Sequence, residues 1–219
     1  MTSSSSSTSL HSTPPLLVAI LRGLTPDEAP AIGQALLDAG ITCFEVPLNS
    51  PRPFDSIRIL TERYGEQAEI GAGTVVDPAD VPRVVEAGGR LVVAPNTDPE
   101  VIADSLGLGL IPYPGVATAT DVFAALRAGA RHLKIFPADA LGTAVLRAWS
   151  AVVPAGTAFL PVGGITTETL PGWIRAGAAG AGIGTFLYAP GRDAEEVRTT
   201  AAGLVRAASG AQQREGSAQ

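Results

Sequence analysis

A short β-branched run followed by a helical stretch with apolar residues near a 3.6 period recurs along this chain at a spacing of roughly 20 to 25 residues. The strand candidates are Leu16–Leu21, Thr42–Val46, Glu69–Thr74, Leu91–Ala94, Leu110–Tyr113, His132–Phe136, Ala158–Val162 and Ala181–Gly184. The helical patterns that follow them are Pro26–Ala39, Pro53–Tyr64, Pro78–Ala87, Pro99–Leu106, Ala119–Ala128, Thr143–Val152, Thr167–Ala176 and Ala194–Ala208. Several begin with a capping residue and proline, as in Thr25-Pro26, Asp77-Pro78 and Asp98-Pro99, because proline fits the first helical turn, where its missing N–H costs nothing. Several stop at Ala-Gly, as in Ala128-Gly129 and Ala176-Gly177, where glycine can take the left-handed conformation that ends a helix.

Eight β-then-α units with no second domain predict an α/β fold, a single-domain (β/α)8 TIM barrel. The competing architecture is an open doubly wound sheet. It lacks its signature here, since Leu21-Arg22-Gly23-Leu24 after the first strand is no dinucleotide-binding glycine motif. The barrel is expected over residues 14–208. Met1 to Thr13 is Ser/Thr-rich, without a charged or apolar segment of a signal peptide, and reads as a disordered tail, as does the polar stretch 209–219.

Apolar residues make up 46% of the chain and aromatics only 5%, so the core must be mostly aliphatic. The net charge of −6 leaves no basic surface for nucleic acid or anionic lipid, and an anionic substrate needs a local site. No apolar run reaches the ~20 residues of a membrane span. A soluble cytoplasmic protein is expected. The lone cysteine, Cys43, excludes an intramolecular disulfide and reads as a reduced core residue.

In a barrel the chemistry lies at the C-terminal ends of the strands. Lys134 stands late in the sixth strand and is the one lysine of the chain, beside 14 arginines. Unlike a guanidinium, its amine can lose a proton and become a nucleophile when desolvated, which points to a Schiff base with a carbonyl substrate. Strand alternation turns Cys43, Glu45 and Pro47 inward, and likewise His132, Lys134 and Phe136. A buried amine and carboxyl are costly unless paired or functional, and burial pushes each toward its uncharged form. The plainer reading is a structural Lys–Glu pair. Arg22 and Thr74 at neighbouring strand ends favour a catalytic one.

Gly163-Gly164 and Gly184-Thr185 follow the seventh and eighth strands, where barrels bind phosphate through backbone N–H groups. Glycines that merely make tight turns are the alternative. His132 reads as a core histidine, and no His/Cys constellation suggests a metal.

These pieces resemble a known family, the class I pyruvate aldolases acting on 2-dehydro-3-deoxy-6-phospho sugar acids, from about Pro15 to Ala208. The matching segments are Ala19-Ile20-Leu21-Arg22-Gly23, Phe44-Glu45-Val46-Pro47-Leu48-Asn49-Ser50-Pro51, Gly71-Ala72-Gly73-Thr74-Val75, Pro114-Gly115-Val116-Ala117-Thr118, Leu133-Lys134-Ile135-Phe136-Pro137 and Val162-Gly163-Gly164. Asn49, Val162 and Ala94-Pro95-Asn96 depart from the pattern of the 6-phosphogluconate branch and are similar to the 6-phosphogalactonate branch.

The resemblance implies retro-aldol cleavage of a phosphorylated 2-keto-3-deoxy sugar acid to pyruvate and glyceraldehyde 3-phosphate, without metal or cofactor, in a homotrimer. It implies that Lys134 forms the Schiff base and Glu45 shuttles protons. Arg22, Thr74, Pro95 and Val162 would line the substrate site, with either end of the substrate open to Arg22. Gly163, Gly164, Gly184 and Thr185 would hold the phosphate. The alternatives are the 6-phosphogluconate epimer or both epimers as substrate, a phosphate-binding isomerase or decarboxylase on the same fold, and a ligand-binding relative without turnover.

Overall fold

Parallel strands need a crossover between them, and the chain supplies one after almost every strand. The computed structural model describes residues 14–216, so the tail expected over Met1 to Thr13 lies outside the described residues. In chain order the elements are β1 (Leu16–Ile20), α1 (Ala29–Asp38), β2 (Cys43–Pro47), α2 (Pro53–Tyr64), β3 (Glu69–Gly73), a 3-10 turn (Pro78–Asp80), α3 (Val81–Glu86), β4 (Leu91–Val93) and α4 (Pro99–Gly107). There follow β5 (Ile111–Tyr113), β6 (Gly115–Val116), α5 (Ala119–Arg127), β7 (His132–Ile135), α6 (Ala138–Ser150), β8 (Ala158–Pro161), α7 (Leu170–Arg175), β9 (Gly180–Ile183) and α8 (Ala194–Gly216).

All strand pairs are parallel, but they do not form the expected closed eight-stranded barrel. A six-stranded half-barrel sheet runs β5-β4-β3-β2-β1-β9, and a separate three-stranded sheet runs β6-β7-β8. Proline explains one break. The expected fifth strand ends at Tyr113, and Pro114 just beyond it has a fixed φ and no N–H for the ladder. Pairing therefore changes partner across Pro114: β5 pairs with β4, and β6 pairs with β7. At the other seam β8 ends at Pro161. Beyond it the two sheets are joined by a single bridge between Val162 and Gly182.

Alternation along the strands sorts the core into two layers. Phe44, Val46, Leu133 and Ile135 face the helices in the larger cluster. Val18, Cys43, Leu91, Val93, Tyr113 and Leu160 form a smaller cluster on the opposite face. Glu45 is two residues from Cys43, and Lys134 is in register with Leu160, so both belong to that second face, nearer the C-terminal strand ends.

Helix signals held at some positions and failed at others. Asp98 caps α4 by accepting N–H bonds from Glu100 (2.9 Å) and Val101 (3.4 Å). Thr118 and Asp121 form a reciprocal capping box at α5. The helix expected from Pro26 starts only at Ala29. Thr25 instead donates its N–H and hydroxyl to Glu28 in a preceding turn. The polar end expected from Ser209 continues α8 as far as Gly216. Ala208 and Ala211, one turn apart, are both buried and extend the helix's core-facing stripe.

Candidate active site

The strand ends open into a cavity of about 1080 Å³. Arg22, Thr74, Pro95, Lys134, Val162, Gly163, Gly164, Gly184 and Thr185 all line it. Of the site residues expected from the sequence, only Glu45 does not. It lies behind the wall at 1% exposure, with Oε2 buried and lacking a hydrogen-bond partner.

Room for that carboxyl comes from Gly73. A Cβ built there would stand 1.8 Å from Glu45 Oε2, so any larger residue would occupy the carboxyl's space. Burial is the main reason the Glu45 carboxyl is raised to about 7, and the charges of Lys134 and Arg22 pull against it. Its orphaned oxygen fits the same conclusion: a protonated carboxyl is the cheaper state in this setting.

Lys134 is 8% exposed, with Nζ 4.8 Å from the centroid of the Phe136 ring at the cavity wall. Burial lowers its pKa, Glu45 partly restores it, and Arg22 lowers it further. Each of the two groups is thus pushed toward the uncharged form while feeling the other. Such a pair can supply a nucleophilic amine and a proton donor–acceptor, with Lys134 in the cavity wall and Glu45 buried behind it.

Arg22 spans the mouth beside them. Its Nη1 donates to Asn49 Oδ1 at 2.7 Å and its Nη2 to Thr74 Oγ1 at 3.5 Å. The Gly23 N–H donates to Ser50 Oγ at 2.9 Å, pinning the turn after β1 to the turn after β2. Thr74 has a φ of 57°, a left-handed conformation rare for a β-branched side chain, and such strain clusters at functional sites.

Across the cavity, Gly163 (φ 111°) and Gly164 (φ 64°) turn after β8 through backbone that L side chains resist. Val162 packs against Gly182, where a Cβ would meet Val162 Cγ2 at 2.7 Å. His132 stacks on Tyr113 with ring centroids 4.9 Å apart, and burial lowers its pKa. Cys43 is buried, and its thiol is pushed up to about 12 mainly by that burial. Among the described residues, no three His, Cys, Asp or Glu side chains gather as a metal site.

Two residues escaped the sequence reading, Gly73 beside Glu45 and Arg192 in the cavity wall. Gly73 sits inside the motif whose Thr74 drew attention, and its role depends on a contact across strands. Asn49 reads in the sequence only as a branch marker, and its bond from Arg22 was not foreseen. Arg192 lies in the irregular loop between β9 and α8, where no periodicity points to it.

The chain is 48% identical over 191 residues to the 2-dehydro-3-deoxy-6-phosphogalactonate aldolase of Escherichia coli K12, covering 87% of this chain and 93% of that one. It is 43% identical over 185 residues to a probable 2-dehydro-3-deoxy-6-phosphogalactonate aldolase of Rhizobium meliloti, covering 84% and 87% respectively. The solved native KDPGal structure superposes with a TM-score of 0.89 at 48% identity, over 90% of this chain and 96% of that chain. The family model for the KDPG and KHG aldolases matches residues 11–200, and the chain belongs to that aldolase family.

Proposed function

We propose that the protein cleaves 2-dehydro-3-deoxy-6-phosphogalactonate to pyruvate and D-glyceraldehyde 3-phosphate by Schiff-base chemistry on Lys134. The observation that carries this reading is the buried Lys134–Glu45 couple, with each partner driven toward its uncharged form. The names of its relatives point to the same substrate.

Neutral Lys134 attacks the C2 carbonyl, and protonated Glu45, through a water, gives its proton to the carbinolamine hydroxyl, which leaves as water to form the iminium and leaves Glu45 a carboxylate. Glu45, acting through a water, takes the proton of the C4 hydroxyl. The C3–C4 bonding pair then moves into the iminium as C4 becomes an aldehyde, leaving an enamine. Protonation at C3 and hydrolysis release pyruvate and restore the amine.

Arg22 and Thr74 take the C1 carboxylate in this scheme. The charge of Arg22 bears on both Glu45 and Lys134, which fits the end of the substrate next to C2. Pro95 and Val162 line the middle, and Gly163, Gly164, Gly184 and Thr185 hold the 6-phosphate by backbone N–H groups and a hydroxyl. The reaction needs no metal or organic cofactor. A homotrimer acting in the cytoplasm is the assembly and setting we propose. No helix among the described residues is long and apolar enough to cross a membrane.

The test is trapping. Incubation with pyruvate and borohydride should add a stable three-carbon adduct to Lys134, seen by peptide mass spectrometry. Lys134→Met should abolish both the adduct and cleavage. Turnover surviving in Lys134→Met would overturn the mechanism.

A further inference from the structure

Charge at the far end of the cavity does not balance on glycines alone. Backbone N–H groups bring dipoles but no net charge, whereas a phosphate monoester carries nearly two negative charges at neutral pH. The neighbouring side chains make this worse. Asp139 Oδ1 lies 3.1 Å from where a Cβ on Gly163 would stand, and Asp193, Glu195 and Glu196 line the same cavity. The N-terminus of α8 is no remedy, because Asp193 already accepts the Glu196 N–H at 2.8 Å. Glu195 is paired with Arg198, which offsets its charge and occupies that guanidinium.

Arg192 meets the need. It lines the cavity together with Gly184, Thr185 and Phe186. The loop carrying it is tied down by N–H bonds from Leu187 and Tyr188 to the Gly184 carbonyl (2.9 and 3.0 Å) and from Arg192 to the Ala189 carbonyl (3.1 Å). Its Nη1 donates to the Phe186 carbonyl at 2.6 Å. Among the described residues its Nε and Nη2 have no partner. One end of the guanidinium is anchored and the other donors remain free, a preorganised fork for an oxyanion.

We propose that Arg192 is a substrate-binding residue that supplies the positive charge for the phosphate, and so makes the enzyme selective for phosphorylated over unphosphorylated 2-keto-3-deoxy acids. This rests on the aldolase reading above and extends it to a residue outside the glycine loops. Arg192 touches no reacting atom, so its loss acts on binding rather than on carbon–carbon scission.

The experiment compares wild type with Arg192→Gln and Arg192→Lys on the 6-phosphorylated acid and on its dephosphorylated analogue. The expected result for Arg192→Gln is a KM for the phosphorylated acid raised roughly 10- to 100-fold, the range for losing hydrogen bonds to a charged group. Its kcat/KM on the analogue should stay within about twofold, and Arg192→Lys should fall between the two. Borohydride trapping of pyruvate on Lys134 and the thermal midpoint are measured for each variant. A loop staple with no ligand role predicts a lowered midpoint and equal losses on both substrates, and that result overturns the proposal. So does an unchanged KM for the phosphorylated acid. Wild-type protein that neither traps pyruvate nor cleaves either acid sinks the aldolase reading itself, a separate outcome.

Discussion

Replacing Glu45 by glutamine keeps the shape of the side chain and removes its titration. In the folded protein the carboxyl titrates near 7 rather than at its ordinary 4.5, chiefly because it is buried. Ionising it in place therefore costs about 3 kcal/mol relative to the unfolded chain. The sign follows from where the proton is held more tightly. Between pH 4.5 and 7 the folded state binds more protons than the unfolded one, so stability falls as pH rises through this window. Below it the favourable contribution is fully present, and above it that contribution is gone. Glutamine has no such window. Urea unfolding of both proteins at pH 5 and pH 8, at one fixed protein concentration, should show the variant gaining most of about 3 kcal/mol on wild type between the two. The same substitution should lower kcat by about two to four powers of ten, the usual share of a positioned acid–base group. A stability difference that stays flat from pH 5 to pH 8 refutes the claim that Glu45 is held protonated by its surroundings.

Gly73→Ala places a methyl 1.8 Å from Glu45 Oε2. It should cost about 1–3 kcal/mol of stability by overpacking and displace the proton shuttle, so kcat should fall with a lowered thermal midpoint. Arg22→Met should raise the KM for pyruvate in the aldol direction by about tenfold or more, since a charged hydrogen-bond partner is lost; an unchanged KM removes Arg22 from the carboxylate end. Val162→Thr adds a hydroxyl without changing shape. It should move the ratio of rates on the two C4 epimers by about tenfold to a hundredfold, and an unmoved ratio excludes this residue from epimer choice.

Lys134 was legible in the sequence because it is a lone lysine on a strand with apolar neighbours, and Glu45 because period-2 alternation turned it inward. Both inferences used only local pattern. Gly73 could not be read that way: its purpose is a contact with Glu45 on the neighbouring strand, which only β2–β3 pairing creates. Arg192 sits in a loop whose course is set by bonds back to Gly184 and Phe186, and loops carry no period. The split at Pro114 was visible in principle. The expected fifth strand stops at Tyr113, but counting eight β-then-α units implied one closed sheet without weighing the N–H that Pro114 lacks, and two sheets form. The extension of α8 was missed for a related reason. Ser209 and Gly210 look like an ending, but Ala208 and Ala211 find apolar neighbours that the composition does not disclose.

In the proposed scheme the seam at Val162 would tie substrate choice to architecture. This side chain faces the reacting sugar acid in the proposed scheme, while its backbone forms the bridge to Gly182 that fastens one sheet to the other. Variation here is constrained twice, by the ligand and by the fastening. Residues branched at Cβ satisfy the second constraint most readily. An engineer who randomises this position will recover new stereochemical preferences from a narrow alphabet, and will find many of the discarded clones unfolded rather than merely inactive.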